Sequence, residues 1–173
     1  MRFLAGVLAC LLGAQGAVAC SCLPPGEATA KLAHSDVVFV GTVIGFDHKV
    51  VQQKFVGKLS IPDDQLGITR LPDGTGVRRV NLTYCRVRVK AAWKGIRADT
   101  TVKVSTGPGA MCGFDAQLGA TYLIYAGWSD KWRWRLTTGL CSGNRAGQGA
   151  REDWDALGPP AWIARRGFSR EDL

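Results

Sequence analysis

One stretch of this chain carries most of its chemistry: Ala17-Val18-Ala19-Cys20-Ser21-Cys22-Leu23-Pro24-Pro25. An A-x-A tripeptide directly before Cys20 is the pattern at which a signal peptidase cuts, and the cut makes Cys20 the first residue. A first residue offers a free α-amine and, across its own Cα, a carbonyl oxygen. Those two atoms chelate a metal ion in a five-membered ring, provided the amine is neutral. With a reference α-amino pKa of about 7.7 to 8, a fair fraction is neutral near pH 7, and a metal drives out the remaining protons. A catalytic zinc keeps one coordination position open for water, and such a chelate would take it. Pro24 and Pro25 hold Leu23 and Pro24 extended, so the segment is expected to form a stiff spur. In extended chain Cys20 and Cys22 point to one side and Ser21 to the other.

The residues upstream supply the rest of the export signal. Arg2 is followed by the apolar run Phe3 to Leu12 and then by small residues, so residues 1–19 read as a signal peptide. No later stretch approaches the roughly eighteen apolar residues of a membrane helix, so no transmembrane segment is expected. The expected location is outside the cytoplasm, extracellular or periplasmic. Cys10 leaves with the leader, and Cys20, Cys22, Cys85, Cys112 and Cys141 remain. Disulfides are the default in an oxidising compartment, and an odd count leaves one thiol over. Cys85 lies in an apolar strand and is expected to be a buried free thiol.

Two other chemistries compete for the same cysteines. A cysteine that follows a leader is also the site of bacterial lipoprotein processing, although the residues Ala17-Val18-Ala19 lack the usual Leu three positions before it. Lipidation at Cys20 would remove both the free amine and a bridge at that residue, and it would leave an even number of thiols. Cys-Ser-Cys as a thiolate metal site is a weaker alternative without neighbouring histidines.

Enzyme chemistry finds little footing. His34 and His48 are the only histidines, and no H-E-x-x-H, G-x-S-x-G or phosphate-loop pattern occurs. The acid pairs Asp63-Asp64 and Glu152-Asp153 fall in a loop and a helix start, where solvation or the helix dipole accounts for them. The net charge is +8, or +7 without Arg2. That balance favours anionic surfaces, while export and the absence of a nucleic-acid motif argue against DNA or RNA.

The elements that must position the spur are mostly strands. A short helix is expected over Glu27–Ala33, a central strand over 36–46, and a long polar hairpin or insertion over 47–79. Residues 80–93 change parity near Cys85, which predicts a bulge in a long bent strand. Strands follow at "TTVKVST", "ATYLIYAG" and "KWRWRLTTG", then a short helix over "AREDWDAL" after the "GNRAGQG" loop. In the tail, Trp162 and Ile163 are expected to pack back on the domain. The fold class is mainly β, a five-stranded Greek-key barrel of the oligonucleotide/oligosaccharide-binding type with short flanking helices. The expected barrel domain spans 20–143, with helix and tail over 144–173.

"CSCLPPGEATAKLAHSDVVFVGTV", "MCGFDAQLGATYLIYAG" and "LTTGLCS" resemble, in this order, segments of the tissue inhibitors of metalloproteinases. The resemblance implies a netrin-like barrel with bridges Cys20–Cys112 and Cys22–Cys141. It also implies inhibition of a zinc metalloprotease: Cys20 chelates the target's zinc, Ser21 enters the adjacent pocket, and Cys22, Leu23, Ala110 and Met111 line the contact. No cofactor of its own is implied, only the zinc of the target. The family's third bridge and its disulfide-rich C-terminal half are missing here. The alternative is a non-inhibitory extracellular or cell-envelope binding module, lipidated at Cys20 or free, for a protein partner or a polyanion such as an anionic polysaccharide. Arg86, Arg88, Arg133 and Arg135 would form its patch.

Overall fold

The computed structural model describes residues 22, 26–57, 60, 62–106, 113–129 and 132–173, without the side chains of Trp132, Arg133 and Trp134. The leader, Cys20, Ser21, Leu23 and the segment Ala110-Met111-Cys112 lie outside the described residues. In chain order the elements are α1 (Ala28–His34), β1 (Val37–Phe55), β2 (Thr69–Arg70), β3 (Gly76–Lys94), β4 (Thr101–Ser105), β5 (Thr121–Ser129), β6 (Trp132–Thr137), α2 (Gly147–Leu157) and β7 (Trp162–Ile163). Short 3-10 turns lie at Leu140–Ser142 and Arg170–Asp172.

Five strands close a barrel in the order β1-β5-β6-β4-β3, and β3 pairs back to β1. The β4–β6 pair is parallel and the other barrel pairs are antiparallel. The mainly β, five-stranded barrel read from the sequence is therefore the fold, with β2 and β7 as two extra short strands. The physical origin is visible in "VVFV" and "YLIYA", whose residues are buried without a gap from Val37 to Val40 and from Tyr122 to Ala126. Unbroken apolar runs mark strands covered on both faces. Val37, Phe39, Tyr122 and Ile124 point into the barrel with Cys85, Val87, Val104 and Leu136. Val38, Val40, Leu123 and Tyr125 point outward, under Ala150, Trp154, Leu157, Phe168 and Leu173.

β1 and β3 each run for 19 residues, and their register extends from Val38↔Lys94 to Phe55↔Gly76. Other barrel partners meet β1 over its first part, Val37–Thr42, and β3 over its middle, Tyr84–Arg88. The remainder, 47–55 against 76–84, projects as a two-stranded ribbon with β2 at its tip. The expected hairpin over 47–79 is thus a continuation of the barrel's own strands.

The bulge expected near Cys85 is displaced. β3 passes through Cys85 in regular register with β4, and the extra residue is Ile44 on the neighbouring β1. Register shifts within β3 fall at Lys90 and Trp93 instead. The parity change in the sequence has a different cause: Tyr84 faces outward yet is only 9% exposed, because the Arg135 guanidinium lies over its ring, 5.5 Å from the centroid.

The Trp93–Lys94 end of β3 ties both helices down. Lys94 Nζ donates to the Leu32 and Ala33 carbonyls at the end of α1, at 3.1 and 3.3 Å, a favourable place for a cation. Trp93 Nε1 donates to the Gly158 carbonyl after α2 and its ring meets Trp154 edge-on. α2 begins at Gly147, earlier than expected, because Arg145 first bridges to Leu123 and turns the chain over the sheet. In the tail, Trp162 and Ile163 pair with β3 through the backbone but leave their side chains 42% and 49% exposed. Ala164, Phe168 and Leu173 do the packing expected of them.

Asp153 departs from its expected solvated place. Its carboxylate is buried between the helices and the barrel, accepting from Lys31 Nζ at 2.5 Å and from the Tyr125 hydroxyl at 2.9 Å, with Arg145 Nε at 3.6 Å. Burial, and then the Asp153 carboxylate, push the Tyr125 phenol far above its ordinary value. Removing one partner of a buried ion pair strands the other, at a cost of about 3 to 5 kcal/mol. Asp153→Ala is therefore expected to lower the urea unfolding free energy by about that much, and Lys31→Met added to it to recover part of the loss. A loss below about 1 kcal/mol for the single variant would mean the charges are solvated in the native state.

Candidate functional site

The anchor of the N-terminal segment is the disulfide Cys22–Cys141, with a Cα–Cα distance of 5.2 Å and a sequence separation of 119. Closing a loop of this length stabilises the fold by about 4 to 5 kcal/mol in the chain-entropy account. Cys22 is thereby committed, which removes the Cys-Ser-Cys thiolate metal site. Among the described residues no group of three or more His, Cys, Asp or Glu side chains is placed to hold a metal ion. No helix among them is long and apolar enough to cross a membrane.

The platform under Cys141 is rigid for local reasons. Cys141 sits in the 3-10 turn Leu140–Ser142 just past β6, where the Gly139 amide donates to Ser142 Oγ at 3.0 Å. Asn144 stitches this turn to β5: its Oδ1 accepts from the Tyr125 amide at 2.9 Å, and its Nδ2 donates to Thr138 Oγ1 at 2.8 Å and to the Gly139 carbonyl at 3.2 Å. Thr138 Oγ1 also donates to the Tyr125 carbonyl at 2.7 Å. The buried polar groups of the turn thus satisfy one another, which fixes a single geometry. Beside the bridge, Gly26, Ala30, Lys31, His34, Tyr125 and Ser142 line an open cleft of about 330 Å³.

The parallel β4–β6 pair decides what else lies at this end. Ser105 is in register with Thr137, and the Thr138 amide donates to the Ser105 carbonyl at 2.9 Å. Parallel neighbours end side by side, so Thr106, the last described residue before the segment 107–112, lies beside the start of the turn that carries Cys141. Both feet of that segment are held: the Thr106 amide donates to the Thr83 carbonyl, the Phe114 amide to the Thr106 carbonyl, and the Phe114 ring meets Tyr122 edge-on at 4.9 Å. The expected contact residues Cys20, Ser21, Leu23, Ala110 and Met111, and the Cys20–Cys112 bridge, lie outside the described residues.

The four arginines of the expected patch fall on two strands, β3 and β6, that β4 separates. Arg86 and Arg88 are exposed on the outer face of β3, Arg135 is half-buried on β6, and Arg133 lies on β6 with its side chain outside the described set. The structure adds two residues that the patch reading missed. Lys103 on β4 is directly opposite Arg86, and Asp47 on β1 reaches both, 2.6 Å from Lys103 Nζ and 3.4 Å from Arg86 Nε. The Lys103 hydrogen bond, reinforced by the charges of Lys103 and Arg86, holds the Asp47 carboxyl below its ordinary value. The signal for Lys103 was present in the alternation of "TVKVS", with Val102 and Val104 on the opposite side of the strand from it.

No protein-family model matches the chain, and no curated protein does.

Cys85 is the one free thiol among the described residues, buried in the barrel as expected, and burial pushes its pKa up to about 11. A native value above the unfolded value of 9.0 means the folded state holds its proton more tightly. The stabilisation is therefore complete below pH 9 and is lost as the pH rises through 11. Comparing unfolding free energies of the wild type and Cys85→Ala across that window, the wild type is expected to lose about 2 to 3 kcal/mol more than the variant. Parallel pH profiles for the two proteins would show that the native thiol titrates as freely as the unfolded one.

Proposed function

We propose that this chain is an exported inhibitor of zinc metalloproteases, with a netrin-like barrel that presents Cys20 as its first residue. The Cys20 α-amine and carbonyl oxygen chelate the target's catalytic zinc in place of its water, and Ser21 enters the pocket beside the metal. Leu23, Ala110 and Met111 line the contact, and a Cys20–Cys112 bridge holds the tip to the loop after β4.

The observation that carries the reading is the Cys22–Cys141 bridge. It staples the chain, two residues from the expected mature N-terminus, to the end of the barrel from which the loops after β4 and β6 emerge. Inhibition by chelation needs a main chain that is stiff on arrival, because ordering it on binding would consume affinity. The rigid turn around Cys141, the prolines after Cys22 and the closed barrel supply that stiffness. The resemblance of the cysteine-bearing segments to the tissue inhibitors of metalloproteinases supports the same reading.

The test is to displace the amine while leaving the fold alone. Mature protein beginning at Cys20 is assayed against a panel of zinc metalloproteases beside a version with one alanine added before Cys20. The extended protein is expected to keep its unfolding midpoint and to inhibit at least about a hundredfold more weakly, equivalent to about 2.7 kcal/mol. Equal potency of the two proteins would rule out chelation by the first residue, and inactivity of the unextended protein across the panel would rule out inhibition.

A further inference from the structure

Away from the barrel end, the outer wall carries two polar rows that the inhibitor reading does not use. In the first, strand register sets Thr121, Thr42, Arg88 and Thr101 side by side across β5, β1, β3 and β4. Thr42 and Thr121 share a hydrogen bond of 2.9 Å between their hydroxyls, and Arg88 is exposed with no ion pair or side-chain hydrogen bond among the described residues. In the second row Arg86 lies opposite Lys103, and Arg135 occupies the equivalent position on β6, one residue before the Val104↔Leu136 pair. Neighbouring strands are about 4.8 Å apart and the two rows about 6.7 Å apart, so the four cations form a compact grid.

Several features of this grid go beyond what folding requires. Like charges directly opposite each other on a sheet destabilise it. Asp47 offsets that repulsion by bridging Arg86 and Lys103, and in doing so it fixes where both cations sit. Gly45 takes part as well, since a Cβ there would collide with the Arg86 guanidinium that lies across β1. Arg135 is oriented by stacking over Tyr84. Among the described residues Asp47 is the carboxylate paired with this grid, and Arg86, Lys103 and Arg135 are each held in place by a neighbour.

We infer that this outer wall of β1, β3, β4 and β6 is a binding site for a linear anionic polysaccharide. Flanking threonine hydroxyls beside Arg88 suit sugar hydroxyls, and the cation spacing suits sulfate or carboxylate groups that recur along a chain. Single-stranded nucleic acid is disfavoured because its recognition relies on exposed aromatic platforms, whereas Tyr84 on this face is covered by Arg135. The inference does not depend on protease inhibition.

The test compares two double variants of the mature protein with the same change in net charge: Arg88→Glu/Lys103→Gln on the wall and Lys54→Glu/Arg79→Gln on the projecting ribbon. Affinity for heparin and for polygalacturonate is measured by calorimetry over a range of salt, with phosphatidylglycerol vesicles and single-stranded DNA as comparison ligands. The wall variant is expected to bind the polysaccharides at least tenfold more weakly, with a salt dependence shallower by about two counterions. The ribbon variant is expected to change less than twofold. Equal losses in both variants would overturn the proposal in favour of a net-charge effect, and an unchanged wall variant would overturn it outright. Tighter wall-dependent binding to vesicles or DNA than to either polysaccharide would overturn the ligand class. Arg88→Glu alone, at a position without an ion-pair partner among the described residues, gives the same comparison if the double variant does not fold.

Discussion

Between Val38 and Thr42, strand β1 is hydrogen-bonded along both edges, to β3 on one side and β5 on the other, and this double pairing closes the barrel. The constraint reaches down to single atoms. A Cβ on Gly41 would stand 2.8 Å from the Arg88 carbonyl oxygen, so only glycine lets the two strands approach this closely. Because β1 is walled in along its edges, its side chains divide between two cores. Odd-numbered residues fill the barrel, while Val38 and Val40 serve as the floor on which the helices and tail are laid. The helix layer is thus a consequence of closure, and so is the position of Asp153, which comes to rest against Lys31 and Tyr125 where that layer meets the wall.

This division explains what the sequence could reveal. Runs such as "VVFV" and "YLIYA" announce strands covered on both faces, and together with three alternating strands between turns they announce a barrel. What the pattern hides is pairing. The parity change at Tyr84 is real, but its cause is a guanidinium from β6 folded over an outward-facing ring, a contact invisible until β6 is known to lie beyond β4. The bulge belongs to the partner strand for the same reason: a register shift is a property of two strands, and one strand's sequence records only half of it. Asp153 stands in the charged run Arg151-Glu152-Asp153, which suggests solvent, while the residue three positions before it, Ala150, is fully buried. Spacing of that kind on a helix places the carboxylate on the packed face.

The candidate site divides along similar lines. Cys22 was legible as a staple because an exported chain with paired cysteines has few other uses for them, and the Cys141 partner follows from the resemblance of the flanking segments. The rigidity of the turn around Cys141 was not legible. It depends on Asn144, an unremarkable loop residue by type, reaching back to the Tyr125 amide and the Thr138 hydroxyl. In the cationic wall, the arginines stood out by alternation, but the carboxylate that positions two of the cations came from a strand nearly forty residues earlier.

The two proposed surfaces occupy different parts of one barrel, and the strand directions say how they relate. The Cys22–Cys141 staple and the ends of β4 and β6 share the barrel end at Ser105 and Thr137. The Arg88 row instead lies at Thr101, the opposite end of β4, and the Arg86–Lys103 row lies between them on the side wall. A ligand on the wall would therefore leave the end of the barrel open to a protease cleft. Anchoring on an extended polyanion and engagement of a second partner are then additive, in the manner of linked binding sites whose local concentration rises when one is held. On the proposed reading, an inhibitor retained this way would act where its matrix is, which gives the expected leader, the Cys22–Cys141 staple and the outward cations a single physical rationale.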